Sequence, residues 1–149
     1  MKIAIAYVSV HHKNTEKLAK VMADAAGADL FDLTKTEETD LSSYDMVGLA
    51  SGIYAGNMHK TMLKFIDSAK LPKKAFLVWT CGVPIIDYTK KVKNVLTDKG
   101  IEVIDSFECK AFNTFGPFAL IGGTGKNRSN EKDLEKAREF VKNIEPKVS

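Results

Sequence analysis

Arginine is nearly missing from this sequence. Of 22 basic residues in the 149, two are arginine and the rest are lysine. Set against 19 acids they leave a net charge of +3, and no basic patch is interleaved with aromatics. A balance that mild argues against a nucleic-acid partner. Cysteine is scarce as well. Cys81 and Cys109 form no C-x-x-C and no zinc spacing, so they read as two reduced, buried thiols rather than a bridge. Long apolar runs are absent. Ile3 to Val8 spans six residues, far below the ~20 a membrane span needs. Ser9, His11, His12 and Lys13 follow at once, so this run is too short for a signal peptide. The expectation is a cytoplasmic chain without a membrane span. Several motifs are missing too. No G-x-G-x-x-G follows the first apolar run, no H-E-x-x-H occurs, and no nucleophile elbow is present. Gly122-Gly123-Thr124-Gly125-Lys126-Asn127 lacks the first glycine and the final Ser/Thr of a P-loop.

What is present is enough for a core: 44% of residues are apolar and 28% charged. The length favours one domain over residues 1–149. Residues 2–8 form a β-branched apolar run, as in a strand buried on both faces. Leu18, Val21, Met22 and Ala25 then make a helical stripe that Gly27 stops. Residues 28–33, 46–53, 75–80 and 101–109 read as further strands. Between them, Met58, Met62, Phe65, Ile66 and Ala69 mark one helix, closed by Leu71-Pro72. Tyr88, Val92, Val95 and Leu96 mark another, closed by Gly100. Leu134, Ala137, Phe140, Val141 and Ile144 mark the last, with Asn130 as N-cap. Residues 34–45 have room for one small helix or a bare crossover. Five strands alternating with helices imply an α/β fold, its parallel sheet covered on both faces. Residues 110–130, with three phenylalanines and Gly116-Pro117, fit no period; a loop that long is usually functional.

In a doubly wound sheet, ligands bind beyond the carboxyl ends of the strands, where the strand order reverses. In the order 2-1-3-4-5 that point lies between strands 1 and 3. The loop after strand 1 runs Ser9-Val10-His11-His12-Lys13-Asn14-Thr15-Glu16 into a helix. Side-chain donors crowd there beside the free N–H groups and positive dipole of a helix start, which favour a phosphate. The plainer reading is a strand–helix turn capped by Asn14 or Thr15. The loop after strand 3, Ser51-Gly52-Ile53-Tyr54-Ala55-Gly56-Asn57-Met58, has two glycines that admit a flat ligand and a tyrosine ring. Trp79, inside strand 4, reads as core.

These residues carry a resemblance over essentially the whole chain. Ser9 to Glu16, ending Asn14-Thr15-Glu16, is similar to the first loop of flavodoxins, with Lys13 where their glycine stands. Gly56-Asn57-Met58 resembles the flavin loop of flavodoxin-like NAD(P)H:quinone oxidoreductases, and Thr80-Cys81-Gly82 lies where such proteins contact the isoalloxazine. Asn113-Thr114-Phe115-Gly116 looks like small archaeal and clostridial members of the family. The resemblance implies a flavodoxin-like, three-layer, doubly wound sheet of five parallel strands in the order 2-1-3-4-5. It implies FMN, with the phosphate on Ser9, His11, Lys13, Asn14 and Thr15. The ring would lie between Ser51, Gly52, Ile53, Tyr54, Ala55, Gly56 and Asn57 on one side and Thr80, Cys81 and Gly82 on the other, with Phe115 and Gly116 beside it. No metal ligand and no catalytic residue is expected. The implied function is an electron carrier moving electrons between redox partners. The alternative is an FMN-dependent NAD(P)H:quinone-type or protoporphyrinogen-dehydrogenase-like oxidoreductase.

Charge is segregated along the chain. Residues 58–99 hold nine lysines against three acids, and residues 24–45 hold seven acids against Lys35. In the expected sheet these stretches fall toward opposite edges. Lys90, Lys91 and Lys93 are then expected to steer a redox partner protein with an acidic docking face.

Overall fold

The computed structural model describes residues 1–9, 14–35, 40–54, 57–81, 90–110 and 131–148. The elements are β1 (Ile3–Val8), α1 (Asn14–Ala26), β2 (Asp29–Asp32), β3 (Met46–Tyr54), β4 (Asn57–Met58), α2 (Lys60–Ser68), β5 (Lys74–Cys81), α3 (Lys90–Asp98), β6 (Glu102–Lys110) and α4 (Glu131–Val148). Five strands pair in parallel in the order β2-β1-β3-β5-β6, and the two-residue β4 folds back antiparallel on the end of β3. The five parallel strands are therefore in the order 2-1-3-4-5, as the sequence led us to expect.

Every residue of β1 is buried, because helices cover both faces of the sheet. Ala4, Ala6, Val8, Leu49, Leu77 and Trp79 face α2 and α3. Ile3, Ile5, Tyr7, Ala50, Phe76 and Val78 face α1 and α4. The alternation follows from the two-residue period of a strand, which sends neighbours to opposite faces. Gly27 and Gly100, at φ 65° and 78°, end α1 and α3 in the left-handed conformation that glycine adopts without strain. Gly48 has a different reason. A Cβ there would lie 2.3 Å from the Phe76 ring, so the ring occupies the space a side chain would need.

Three details depart from the sequence reading. In α1 the fully covered residues are Leu18, Ala19, Met22 and Ala23, while Val21 and Ala25 are only half-buried. The helix has turned its small alanines to the sheet, which lets it approach closely. Val95 of α3 is 36% exposed, while Val92 and Leu96 are buried. That helix lies at the margin of the sheet, so only a narrow strip of it is covered. Between β2 and β3, residues 33–35 form a turn and Asp40 makes an isolated bridge to Lys70; residues 36–39 lie outside the described residues. So do Tyr88, Asn130 and residues 111–130. No helix among the described residues is long and apolar enough to cross a membrane.

Candidate functional site

The parallel registers align the carboxyl ends of four strands. Val8 is level with Ser51, Ser51 with Trp79, Gly52 with Thr80, and Thr80 with Cys109. Ser9, the residue after β1, stands at this edge, and α1 starts beside it at Asn14.

Three hydroxyls stand out there. Thr15 Oγ1 and Thr80 Oγ1 lie 3.0 Å apart in one hydrogen bond, with either hydroxyl as donor. Both residues are buried, at 3% and 6% exposure. Ser9 Oγ is shut away from solvent and has no hydrogen-bond partner among the described residues. A hydroxyl buried without a partner costs about 1–3 kcal/mol. Natural chains keep few such groups, and those they keep often serve a site. Thr15 is the second residue of α1, so its neighbours are the free N–H groups and the positive end of the helix dipole. Its hydroxyl is committed across the sheet to Thr80, which sets aside its reading as a helix cap. The donor set is neutral hydroxyls, helix N–H groups and a dipole end, and that chemistry suits a phosphate monoester.

The surrounding polar groups hold this edge in shape. Tyr7 Oη donates to Glu16 Oε1 at 3.1 Å, and Lys20 Nζ lies 3.7 Å from the same oxygen. Burial, and then the Glu16 hydrogen bond, push the Tyr7 phenol well above its ordinary value, so it stays protonated and ties the first turn of α1 to β1. Ser51 is fully buried. Its hydroxyl donates to Gly52 O at 2.7 Å and accepts from His59 N at 3.0 Å. The bond it accepts from His59 ties the far end of the β3–β4 hairpin back to β3. His59 Nδ1 accepts from Thr61 N at 3.0 Å and caps α2. Burial, then Lys60, hold its imidazole below the usual value, and only an unprotonated Nδ1 makes that bond.

Gly52, Ile53, Tyr54 and Asn57 belong to the hairpin backbone, in which Ile53 pairs with Met58 and Tyr54 with Asn57. Cys81 ends β5, level with Lys110 of β6. The carboxyl edge therefore carries Ser9, Asn14, Thr15, Ser51, Gly52, Ile53, Tyr54, Asn57, Thr80 and Cys81. His11, Lys13, Ala55, Gly56, Gly82, Phe115 and Gly116 lie outside the described residues. Trp79 is 5% exposed and its indole N–H donates to Glu108 Oε2 at 2.8 Å, so it is a core residue. Cys109 is a buried thiol outside any disulfide. No group of three or more metal-binding side chains occurs among the described residues. A cavity of about 600 Å³ lies elsewhere, at the sheet margin between α3 and β6 beside Lys93, Ile101, Val103 and Asp105.

The sequence reading missed two of these roles. The Thr15–Thr80 pair joins residues 65 apart in sequence, and no local pattern signals it. The His59 cap is hidden because histidine is not among the usual capping residues.

Comparison with known proteins agrees with the fold. The chain is 44% identical, over 97% of its own length and 98% of the relative's, to an uncharacterized protein of Methanocaldococcus jannaschii. The structure of a flavodoxin from the domain Archaea superposes with a TM-score of 0.67 at 15% identity, covering 99% of both chains. An apo NADH:FMN oxidoreductase superposes at 0.64 with 15% identity, covering 99% of this chain and 90% of the other. Residues 4–117 match the flavodoxin domain model, and the chain belongs to that family.

Proposed function

We propose that this protein binds FMN at the carboxyl edge of its sheet and carries electrons between redox partners. The observation that carries the reading is the buried Thr15–Thr80 hydroxyl pair at the start of α1, on the same sheet edge as the Ser9 hydroxyl, which is buried without a hydrogen-bond partner among the described residues. Family membership supports it, because the flavodoxin family model covers this edge. Ser9 and Thr15 would hold the phosphate, and Thr80 would orient the Thr15 hydroxyl. The β3–β4 hairpin, stapled by Ser51, would line the ring with backbone rather than with charge. When bound, FMN supplies a ring that accepts and returns electrons. The chain's own part is to grip the phosphate, shield the ring and hold its surroundings rigid.

The test is titration of the apoprotein with FMN and riboflavin, followed by anaerobic reduction. FMN should bind much more tightly than riboflavin, and dithionite should reduce the loaded protein while NADH and NADPH do not. Equal affinity for the two flavins would remove the phosphate site. Direct bleaching by NADH or NADPH would replace the carrier with an NAD(P)H-dependent oxidoreductase.

A further inference from the structure

We propose that the exposed face of α2 and α3 docks an acidic redox protein, with Lys60, Lys64, Lys90 and Lys91 as its contact charges. The inference rests on the reading that the chain carries FMN and passes electrons.

Parallel crossovers bring the starts of α2 and α3 to the same edge of the sheet as Ser9, Thr15 and Thr80. α2 begins with Lys60, and α3 with Lys90 and Lys91; all three are exposed, as is Lys64 one turn further on. Neither helix has an acid in its first turn. Across the two helices and the turns after them, eight lysines face two acids, Asp67 and Asp98. The opposite layer, α1 and α4, carries seven residues of each sign. A lysine in the first turn adds positive charge to the positive end of the helix dipole, where local physics favours acids. Residues that break a local rule without a structural return are the ones to suspect of function.

The structural return is missing at these four. None lies within 4.0 Å of a carboxylate among the described residues. Two neighbours differ. Lys99 Nζ donates to the carbonyl oxygens of Ile66 and Asp67 and closes the end of α2. Lys93, expected among the steering lysines, lies over the Trp79 ring at 5.9 Å and is half-buried. Its place in the docking set therefore passes to Lys60 and Lys64.

The chemistry of the face selects a protein. It has no arginine to grip phosphates in bidentate fashion; the two arginines stand at positions 128 and 138. The exposed large hydrophobics among the described residues are Met1 and Val95, so the described part of the face offers no ring for a base to stack on. The apolar sides of α2 and α3 are committed to the core, which leaves nothing to insert into a lipid surface. Val95, one turn beyond Lys91, adds a single apolar contact. A charge-dominated surface with so little apolar area suits a brief encounter, fast to form and fast to leave.

The test uses the FMN-loaded protein and a reduced acidic ferredoxin as the probe. One electron leaves the ferredoxin cluster and enters the oxidised flavin, followed by stopped-flow absorbance. The second-order rate should fall as salt rises. Lys90→Glu with Lys91→Glu should slow it about tenfold at low salt, leaving FMN affinity unchanged. Lys136→Glu with Lys142→Glu removes the same charge from α4 and should stay near wild type. A rate that is flat in salt, or an equal loss in both double variants, would overturn the docking face. Ferredoxin-induced shifts of amide NMR signals give a readout that needs no flavin. Shifts confined to α2 and α3 in a protein that fails to bind FMN would sink the flavin reading and leave the docking face standing. Larger shifts there with duplex DNA or phosphatidylserine vesicles than with ferredoxin, at the same salt, would also overturn it.

Discussion

The two helical layers of this protein are built on different terms. The α1–α4 layer is balanced in charge, opens α1 with Glu16 and α4 with Glu131 and Asp133, and packs aromatic rings against the sheet. Phe140 meets Phe76 at 5.8 Å and Phe107 at 5.4 Å between ring centroids. The α2–α3 side packs mainly aliphatic and methionine side chains around Phe65 and Trp79 and opens both helices with lysine. Lys60, Lys64, Lys90 and Lys91 have no carboxylate within 4.0 Å among the described residues. One layer obeys the local rules of helix electrostatics and the other breaks them. The layer that obeys holds α1, and with it the start of the candidate phosphate site. The layer that breaks them presents Lys60, Lys64, Lys90 and Lys91 to solvent.

That contrast is open to direct attack. The largest effect should come from the side that faces α1 and α4. Phe76 is fully buried and fills the space above Gly48, so Phe76→Ala should cost about 3–5 kcal/mol of stability in urea denaturation. Val95→Ala, on the lysine side, should change stability by less than about 0.5 kcal/mol. Comparable losses would show that both layers carry the core equally.

A smaller effect is expected at His59. His59→Ala removes the cap of α2 and should cost about 0.5–2 kcal/mol, with His59→Asn restoring most of it. Its folded pKa is lowered below the ordinary 6.5. The stability tied to the neutral imidazole is therefore fully present above about pH 6.5 and is lost as pH falls through the lowered value. In the Ala variant this part of the pH dependence should vanish. An unchanged acid limb of stability against pH would show that the cap bond to Thr61 contributes nothing.

The smallest effect sharpens the comparison most. Lys60→Glu and Lys90→Glu place acids where helix dipoles favour them, and each should raise stability by about 0.3–1 kcal/mol at low salt. Glu16→Lys in α1 should lower it, and by more, because Tyr7 loses its acceptor. If the lysine reversals destabilise instead, those lysines hold the fold and are not a surface kept for a partner.

Much of this was legible beforehand, for reasons that differ by element. The strands stand out because burial on both faces leaves a run such as Ile3 to Val8 with no polar position. Gly27 and Gly100 mark helix ends because few other residues accept positive φ. The Ser9–Thr15 loop is visible because its donors are consecutive. Thr15 with Thr80, Tyr7 with Glu16, and Trp79 with Glu108 were not visible. Their geometry exists only after the sheet brings distant strands level. Ser51 shows the converse. In sequence it is a polar residue in a candidate flavin loop, and nothing there signals that its hydroxyl also donates to Gly52 and accepts from His59.

The measurement that bears most directly on the account is the difference in binding free energy between FMN and riboflavin, in the wild type and in Thr15→Val. Under the proposed function the hydroxyls of Ser9 and Thr15 hold the phosphate, which riboflavin lacks, and Thr80 orients Thr15. Thr15→Val should therefore cost about 1–3 kcal/mol of FMN affinity and leave riboflavin affinity unchanged. Equal losses for both flavins, or no loss for either, would contradict a phosphate site at the start of α1.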